Sequence, residues 1–248
     1  MELKSEQEIE RLRTSGRLAR ELLNAVCKEV KAGVSTEDLD NCAAKWIKQH
    51  DAKPAFLNYR GYPKTICVSI NEEVVHGIPG PRKILNGDIV SIDVGLFYEG
   101  WCGDTAKTIP VGAISESAQK LLRVSEQALD EAIKAARMGN RIGDISYAMQ
   151  SVSESQGFHV VRNYGGHGIG RAMHEDPHVP CLGQPGTGAL IRDGLVLALE
   201  VMVNCGTPHV VHKPDGWTVL TEDRSLSAHY EHMVAILDGK TELLTKAA

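Results

Sequence analysis

Gly87-Asp-Ile-Val-Ser-Ile-Asp93 is a glycine, an apolar run and a carboxylate six positions on. Gly194-Leu-Val-Leu-Ala-Leu-Glu200 has the same form 107 positions later. Both read as strands, being short apolar runs that a glycine opens. A second match has nearly the same offset. Gly33 is followed by Asp38-Leu39, and Gly139 by Asp144-Ile145, 106 positions later. Coincidence is the competing reading, since a glycine before a strand is common. Two matches at nearly one offset favour duplication: two related halves packed about a pseudo-twofold, with a repeat too long for a solenoid.

Working outward, each half carries two helices before its strands. Ser5 with Glu8 makes a capping box, and Ile9, Leu12, Leu18, Leu22, Val26 and Val30 then predict a helix over 5–31, stopped by Gly33. Ser35 and Asp38 predict a second start, with Leu39, Cys42, Ala43 and Trp46 on one face of a helix over 36–49. Residues 67–111 read as strands, with 66–70 short and 88–95 and 102–111 joined by a turn at Tyr98-Glu99-Gly100. A third helix is expected over 117–137, ended by Gly139, and a fourth over 143–155; 159–244 reads as strands and loops. Helices in pairs and strands in runs argue for α+β rather than a strictly alternating fold. Residues 1–248 are expected to form one domain of two halves, about 1–111 and 112–248.

Composition narrows the classes. Of 248 residues, 42% are hydrophobic and 24% charged, which excludes a disordered or collagen-like chain. Net charge is −5 with no basic stripe, so stable nucleic-acid binding is not expected. No apolar run reaches the ~18 residues a membrane span needs. Residues 1–8 have no signal or transit character. The six cysteines form no Cys-x-x-Cys pair and read as reduced thiols, so a cytoplasmic location is expected.

Several residues are out of place unless they do chemistry. Asp93 and Asp104 interrupt apolar strands on either side of the turn, roughly opposite one another in a hairpin. Facing carboxylates repel unless a proton or cation lies between them. Glu200 sits in a nearly all-apolar strand and needs a partner, either a metal or a Lys or Arg from elsewhere. Asn163-Tyr-Gly-Gly-His167-Gly-Ile-Gly exposes an imidazole between glycines, with His174 seven residues on. His229 and Glu231 share a strand face. An exposed polar edge strand is the bland alternative for that last pair. Asp93, Asp104, His167, Glu200 and Glu231 together are four carboxylates and one imidazole. That set suits two divalent ions, Mn, Fe, Co or Zn rather than Ca. Metals ~3.5–4 Å apart activate a bridging water and polarise a carbonyl, which is a recipe for amide hydrolysis.

At these residues the chain resembles the type I methionine aminopeptidases, in their short bacterial form, along nearly its whole length. The motifs are Asn58-Tyr-Arg-Gly-Tyr-Pro-Lys-Thr-Ile-Cys67, Ser69-Ile-Asn-Glu-Glu-Val-Val-His76-Gly-Ile-Pro79, Gly87 to Asp93, Gly103-Asp104, Gly166-His167-Gly-Ile-Gly-Arg, His174-Glu-Asp-Pro177 and Tyr230-Glu231-His232. The resemblance implies the pseudo-twofold "pita-bread" fold, an antiparallel sheet with two pairs of helices. It implies that Asp93, Asp104, His167, Glu200 and Glu231 hold two metal ions, with Asp104 and Glu231 bridging. His174 would meet the substrate carbonyl, His76 the scissile amide, and Glu200 would relay a proton. Tyr59, Tyr62, Cys67 and Trp217 would line the pocket for the first side chain, although ordinary core is their bland reading. The implied activity is release of the initiator methionine from nascent polypeptides ahead of small second residues. A monomer with transient ribosome contact is the accompanying expectation.

Three positions depart from the family pattern. Val201 stands where proline is usual, His229 where glutamine is usual, and Met173 where phenylalanine is usual. None removes a ligand; they bear on rate and metal preference. Glu231 comes only 31 positions after Glu200, which leaves no room for the type II helical insertion. The extensions of longer forms and the extra domain of proline-specific relatives are not expected. An aminopeptidase of different specificity and a catalytically silent binding protein are the rivals; retention of all five ligand positions argues against the second.

Overall fold

The structure, a computed structural model, describes residues 1–246. Helix α1 (Glu6–Glu29) begins where Ser5 Oγ accepts from the Glu8 N–H and the Glu8 carboxylate accepts from the Ser5 N–H. Helix α2 (Thr36–Gln49) starts with the same reciprocal pair, Ser35 and Asp38. Each box satisfies two otherwise orphaned backbone groups. Helix α1 ends a turn before Gly33, which lies in the connection with φ 90°. Strand β1 (Lys53–Pro54) and a 3-10 turn (Tyr59–Gly61) lead to β2 (Cys67–Ile70) and β3 (Glu73–Val75). The hairpin β4 (Ile89–Tyr98) and β5 (Trp101–Pro110) follows.

The rest runs α3 (Glu116–Ala135), α4 (Ile142–Ser155), β6 (His159–Val160), β7 (Gly165–Gly168), β8 (Glu175–Pro180) and β9 (Val196–Asn204). It ends with β10 (Val210–His212), β11 (Val219–Thr221), β12 (Ser227–Leu237) and β13 (Lys240–Leu243). The main sheet is antiparallel in the order β1-β4-β5-β12-β9-β7-β8, so β4–β5 and β12–β9 meet at a β5–β12 seam. The repeat read from the sequence has a conformational counterpart. Gly87 and Gly194, before β4 and β9, have φ of 97° and 84°. Gly33 and Gly139, each following a long helix, have φ of 90° and 91°.

Helices cover one face of the sheet. Val90, Ile92, Val94 and Leu96 pack against Leu18, Leu22, Leu23 and Val26 of α1. Leu197, Leu199, Val201 and Val203 pack against Leu121, Ala128 and Leu129 of α3. Each such side chain contributes ~1.5–3 kcal/mol on burial. Side chains alternate along a strand, so Ser91, Asp93 and Glu200 are turned to the opposite face. The apolar face thus fixes the register that the polar face needs. Val201 sits within the β9–β12 ladder opposite Tyr230, and the strand runs unbroken through it. All six cysteines are free thiols, and Cys67, Cys102 and Cys181 are buried. Among the described residues no helix is long and apolar enough to cross a membrane.

Candidate active site

The register lays the site out as a row across the sheet. Cys67 lies opposite Asp93, Asp93 opposite Ala106, Ala106 opposite Glu231, and Glu231 opposite Glu200. Paired residues share a face, so Asp93, Glu231 and Glu200 emerge together. Asp104, two residues from Ala106 on β5, joins them. Asp93 and Asp104 are therefore diagonal neighbours rather than directly opposite. The two-residue loop Glu99-Gly100 sets this by pairing Tyr98 with Trp101; its residues have φ of 48° and 83°, the conformation tight hairpins favour. His167 arrives on β7 opposite Ala198, two residues from Glu200. Gly166 is what lets β7 approach, since a Cβ there would lie 2.3 Å from the Ala198 carbonyl oxygen. Glu231 is in the middle of the sheet, between β5 and β9, and not on an edge.

The electrostatics of this row are strained as the side chains stand. One ligand-type atom from each of Asp104, His167 and Glu231 lies within 4.8 Å of the others. Asp93 Oδ1 and Asp104 Oδ1 are buried and have no hydrogen-bond partner among the described residues. Burial pushes the Asp93 carboxyl up to about 7, with Glu200 adding to the rise and His229 opposing it. Burial and then neighbouring carboxylates push Asp104 and Glu231 well above the usual range. Crowded buried carboxylates with orphaned oxygens are the donor set a divalent cation satisfies. The residues present fit such a cation.

Glu200 is the exception. Burial alone would raise it, but the hydrogen bond and charge of His229 hold its carboxyl down to about 2. His229 Nε2 is 3.0 Å from Glu200 Oε2, and the imidazole is 2% exposed. The side chain that meets Glu200 is thus neither Lys nor Arg but a histidine two residues from Glu231, and it takes only one of the two carboxylate oxygens.

Above the row is a cavity of about 310 Å³. Every residue given a site role from the sequence borders it: Tyr59, Tyr62, Cys67, His76, Asp93, Asp104, His167, His174, Glu200, Trp217 and Glu231. The His167 and His174 rings are 4.2 Å apart, and Tyr59 Oη lies 2.8 Å from His174 Nδ1. Burial, with the nearby His167, brings His174 down to about 4; burial brings His76 down to about 4 as well. Both are neutral at pH 7. His76 has φ 60°, a strained value for a non-glycine residue. Tyr62 has a double part: it lines the cavity, and its one hydroxyl proton is shared between the carbonyl oxygens of Ile66 and Gly77, each 3.0 Å away. Sequence reasoning assigned nothing to Phe56, Arg60, Tyr164 or His178, which also line the cavity. Gly95 held the signal for Phe56, since a Cβ there would come 2.4 Å from the Phe56 ring.

Comparison with known proteins agrees with this geometry. The family model described as Metallopeptidase family M24 matches residues 10–238. The chain belongs to this M24 family. Among its members, the methionine aminopeptidase of Clostridium acetobutylicum is 48% identical over 98% of both chains. Methionine aminopeptidase 1 of Bacillus subtilis is 44% identical over 98% of both. The crystal structure of methionine aminopeptidase from Rickettsia prowazekii superposes with a TM-score of 0.97 at 40% identity, covering 99% of this chain and 100% of that one. A prolidase from Pyrococcus horikoshii, at 20% identity and TM-score 0.79, shares the fold. The pita-bread fold expected from the sequence is the M24 fold found here.

Proposed function

We propose that this chain releases the N-terminal methionine of new polypeptides ahead of small second residues, as a cytoplasmic monomer acting on peptides as they leave the ribosome. The chain is a metal-dependent hydrolase of the M24 methionine aminopeptidase type. The observation that supports the metal-dependent chemistry of this reading is the row of enclosed carboxylates, two of them with orphaned oxygens among the described residues, on the floor of a cavity. We assign Asp93, Asp104, His167, Glu200 and Glu231 as ligands of two divalent ions, drawn from Mn, Fe, Co and Zn because the donors mix oxygen and nitrogen. Such ions supply Lewis-acid charge and an activated water.

The remaining work falls to side chains. Tyr59 engages His174 at Nδ1, so Nε2 is the nitrogen left to donate to a substrate carbonyl. A neutral imidazole donates from one nitrogen only, and the tautomer that accepts from Tyr59 carries its proton on Nε2. That is oxyanion stabilisation. Neutral His76 meets the scissile amide and helps the amine leave. Glu200 is assigned the proton relay from nucleophile to leaving group for its place at the row; the hold of His229 on one oxygen, which keeps the carboxyl low, works against that relay. Tyr62, Cys67 and Trp217 form the apolar wall for the methionine thioether, with Cys67 as a polarizable contact. We take the divisions 1–111 and 112–248 to work as one catalytic unit, since the row spans both.

The test is release of free methionine from Met-Ala-Ser and Met-Leu-Ser by protein stripped with chelator and resupplied with Mn, Fe, Co or Zn. Metal-restored cleavage of the Ala peptide, with little of the Leu peptide, is expected. Cleavage of non-methionine peptides would move the assignment to another aminopeptidase. No release with any metal from folded protein would end it.

A further inference from the structure

We propose that His229 is a positioning residue for Glu200: its Nε2 holds one carboxylate oxygen and so presents the other to the metal site. The inference rests on the metal reading above. Its basis is how tightly both side chains are built in. His229 and Glu231 are on one face of β12, and Glu231 is opposite Glu200 on β9. The imidazole thus reaches Glu200 diagonally, across the strand pairing, and Nε2 stops 3.0 Å from Oε2.

The root of the imidazole is fixed from the other side. The His229 N–H donates to Thr108 Oγ1 at 2.8 Å, and Thr108 Oγ1 lies 2.9 Å from the His229 carbonyl. Thr108 in turn meets Ser91 Oγ at 2.7 Å. This polar chain runs from β4 through β5 to β12 and sets where the ring can be. With His229 only 2% exposed, bulk water competes little with Glu200 for the ring. A buried donor that lost its acceptor, or a buried carboxylate that lost its donor, is costly. The contact therefore fixes the rotamer of each.

The consequence is directional. Asp93 and Asp104 each have a buried oxygen without a partner among the described residues, whereas Glu200 has one oxygen engaged by an imidazole. Glu200 is left as a one-oxygen ligand with its angle set by the protein. Hydrogen-bonded partners of this kind typically govern ~10–100-fold of metal affinity.

The experiment separates bulk from donor. His229→Met fills the space without an N–H; His229→Gln restores an amide N–H that can reach Glu200. Should His229→Met not fold, His229→Asn, whose amide is too short to reach, takes its place. Stripped wild-type and variant proteins with matching circular dichroism are titrated with Co(II), following calorimetric affinity and the visible absorption of bound Co(II). The Met (or Asn) variant is expected to bind ~10–100-fold more weakly with an altered spectrum, and the Gln variant to recover most of the affinity and the wild-type band. Equal affinity and spectrum in all three would overturn the positioning role. So would a Gln variant no better than the Met variant. Failure of the wild type itself to bind Co(II) would sink the metal reading, and this inference with it.

Discussion

Asp93 and Glu200 occupy matching places in the two halves, each six residues after a glycine with positive φ and each on the inner face of a central strand. Their surroundings are opposite. Asp93 has an orphaned buried oxygen and a carboxyl pushed up to about 7 by burial. Glu200 is equally enclosed, yet an imidazole holds it down to about 2. The strands that flank them differ too. β2 brings the Cys67 thiol beside Asp93, while β7 brings the His167 imidazole close to Glu200. The backbone repeat decides where a carboxylate stands. Its neighbours decide which protonation state and which partner it takes, so a symmetrical frame holds an asymmetrical site.

The most severe way to break this comparison is to remove charge from the middle of the row. Asp104→Asn and Glu231→Gln are each expected to lower kcat/KM on Met-Ala-Ser by at least ~10²–10³-fold, read from methionine release. The orphaned carboxylates should also report on stability. A divalent ion at ~100 times its dissociation constant adds ~2.7 kcal/mol, or roughly 5–10 °C in Tm for a chain of this size. Asp104→Asn should lose most of that rise in a thermal melt with and without Mn(II).

Gly166→Ala sharpens the comparison at the flank. Its Cβ would press on the Ala198 carbonyl oxygen, pushing β7 and His167 outward at a cost of ~1–3 kcal/mol. Urea unfolding should show that loss, with methionine release falling alongside it. The smallest effect is expected at His76. Its folded pKa of about 4 lies below the ordinary 6.5, so the unfolded chain takes up the proton first. Stability is therefore whole above pH 6.5 and falls as pH drops toward 4. Because the ring is only half-buried, partial solvation limits the effect to ~1 kcal/mol. His76→Asn should flatten the acid side of the urea midpoint against pH by that amount.

The frame was legible because it depends on local chemistry. Capping pairs, helical spacing and a glycine before an apolar run are read from neighbours in sequence, and among the described residues they located the four α-helices to within two residues and the β4–β5 hairpin strands to within three. The ligand candidates were legible because a carboxylate inside an apolar strand needs a reason. What was not legible depends on register and on distant segments. The diagonal offset of Asp93 and Asp104 follows from the length of one turn. The Glu200–His229 contact joins two strands that only the sheet order makes neighbours. Phe56 and Tyr164 reach the cavity from loops whose paths no periodicity encodes; Gly95 marked the space for Phe56 without saying what filled it.

The central claim is that the enclosed carboxylates of both halves, with Asp93 and Asp104 each holding an orphaned oxygen among the described residues, form one cation site. Calorimetric titration of chelator-stripped wild type, Asp93→Asn and Asp104→Asn with Mn(II) tests it most directly. The account predicts binding by the wild type and at least ~10-fold weaker binding by each variant, although the two aspartates come from the half without the histidine ligand. Wild-type protein that binds no Mn(II), or variants that bind it as well as the wild type, would contradict it.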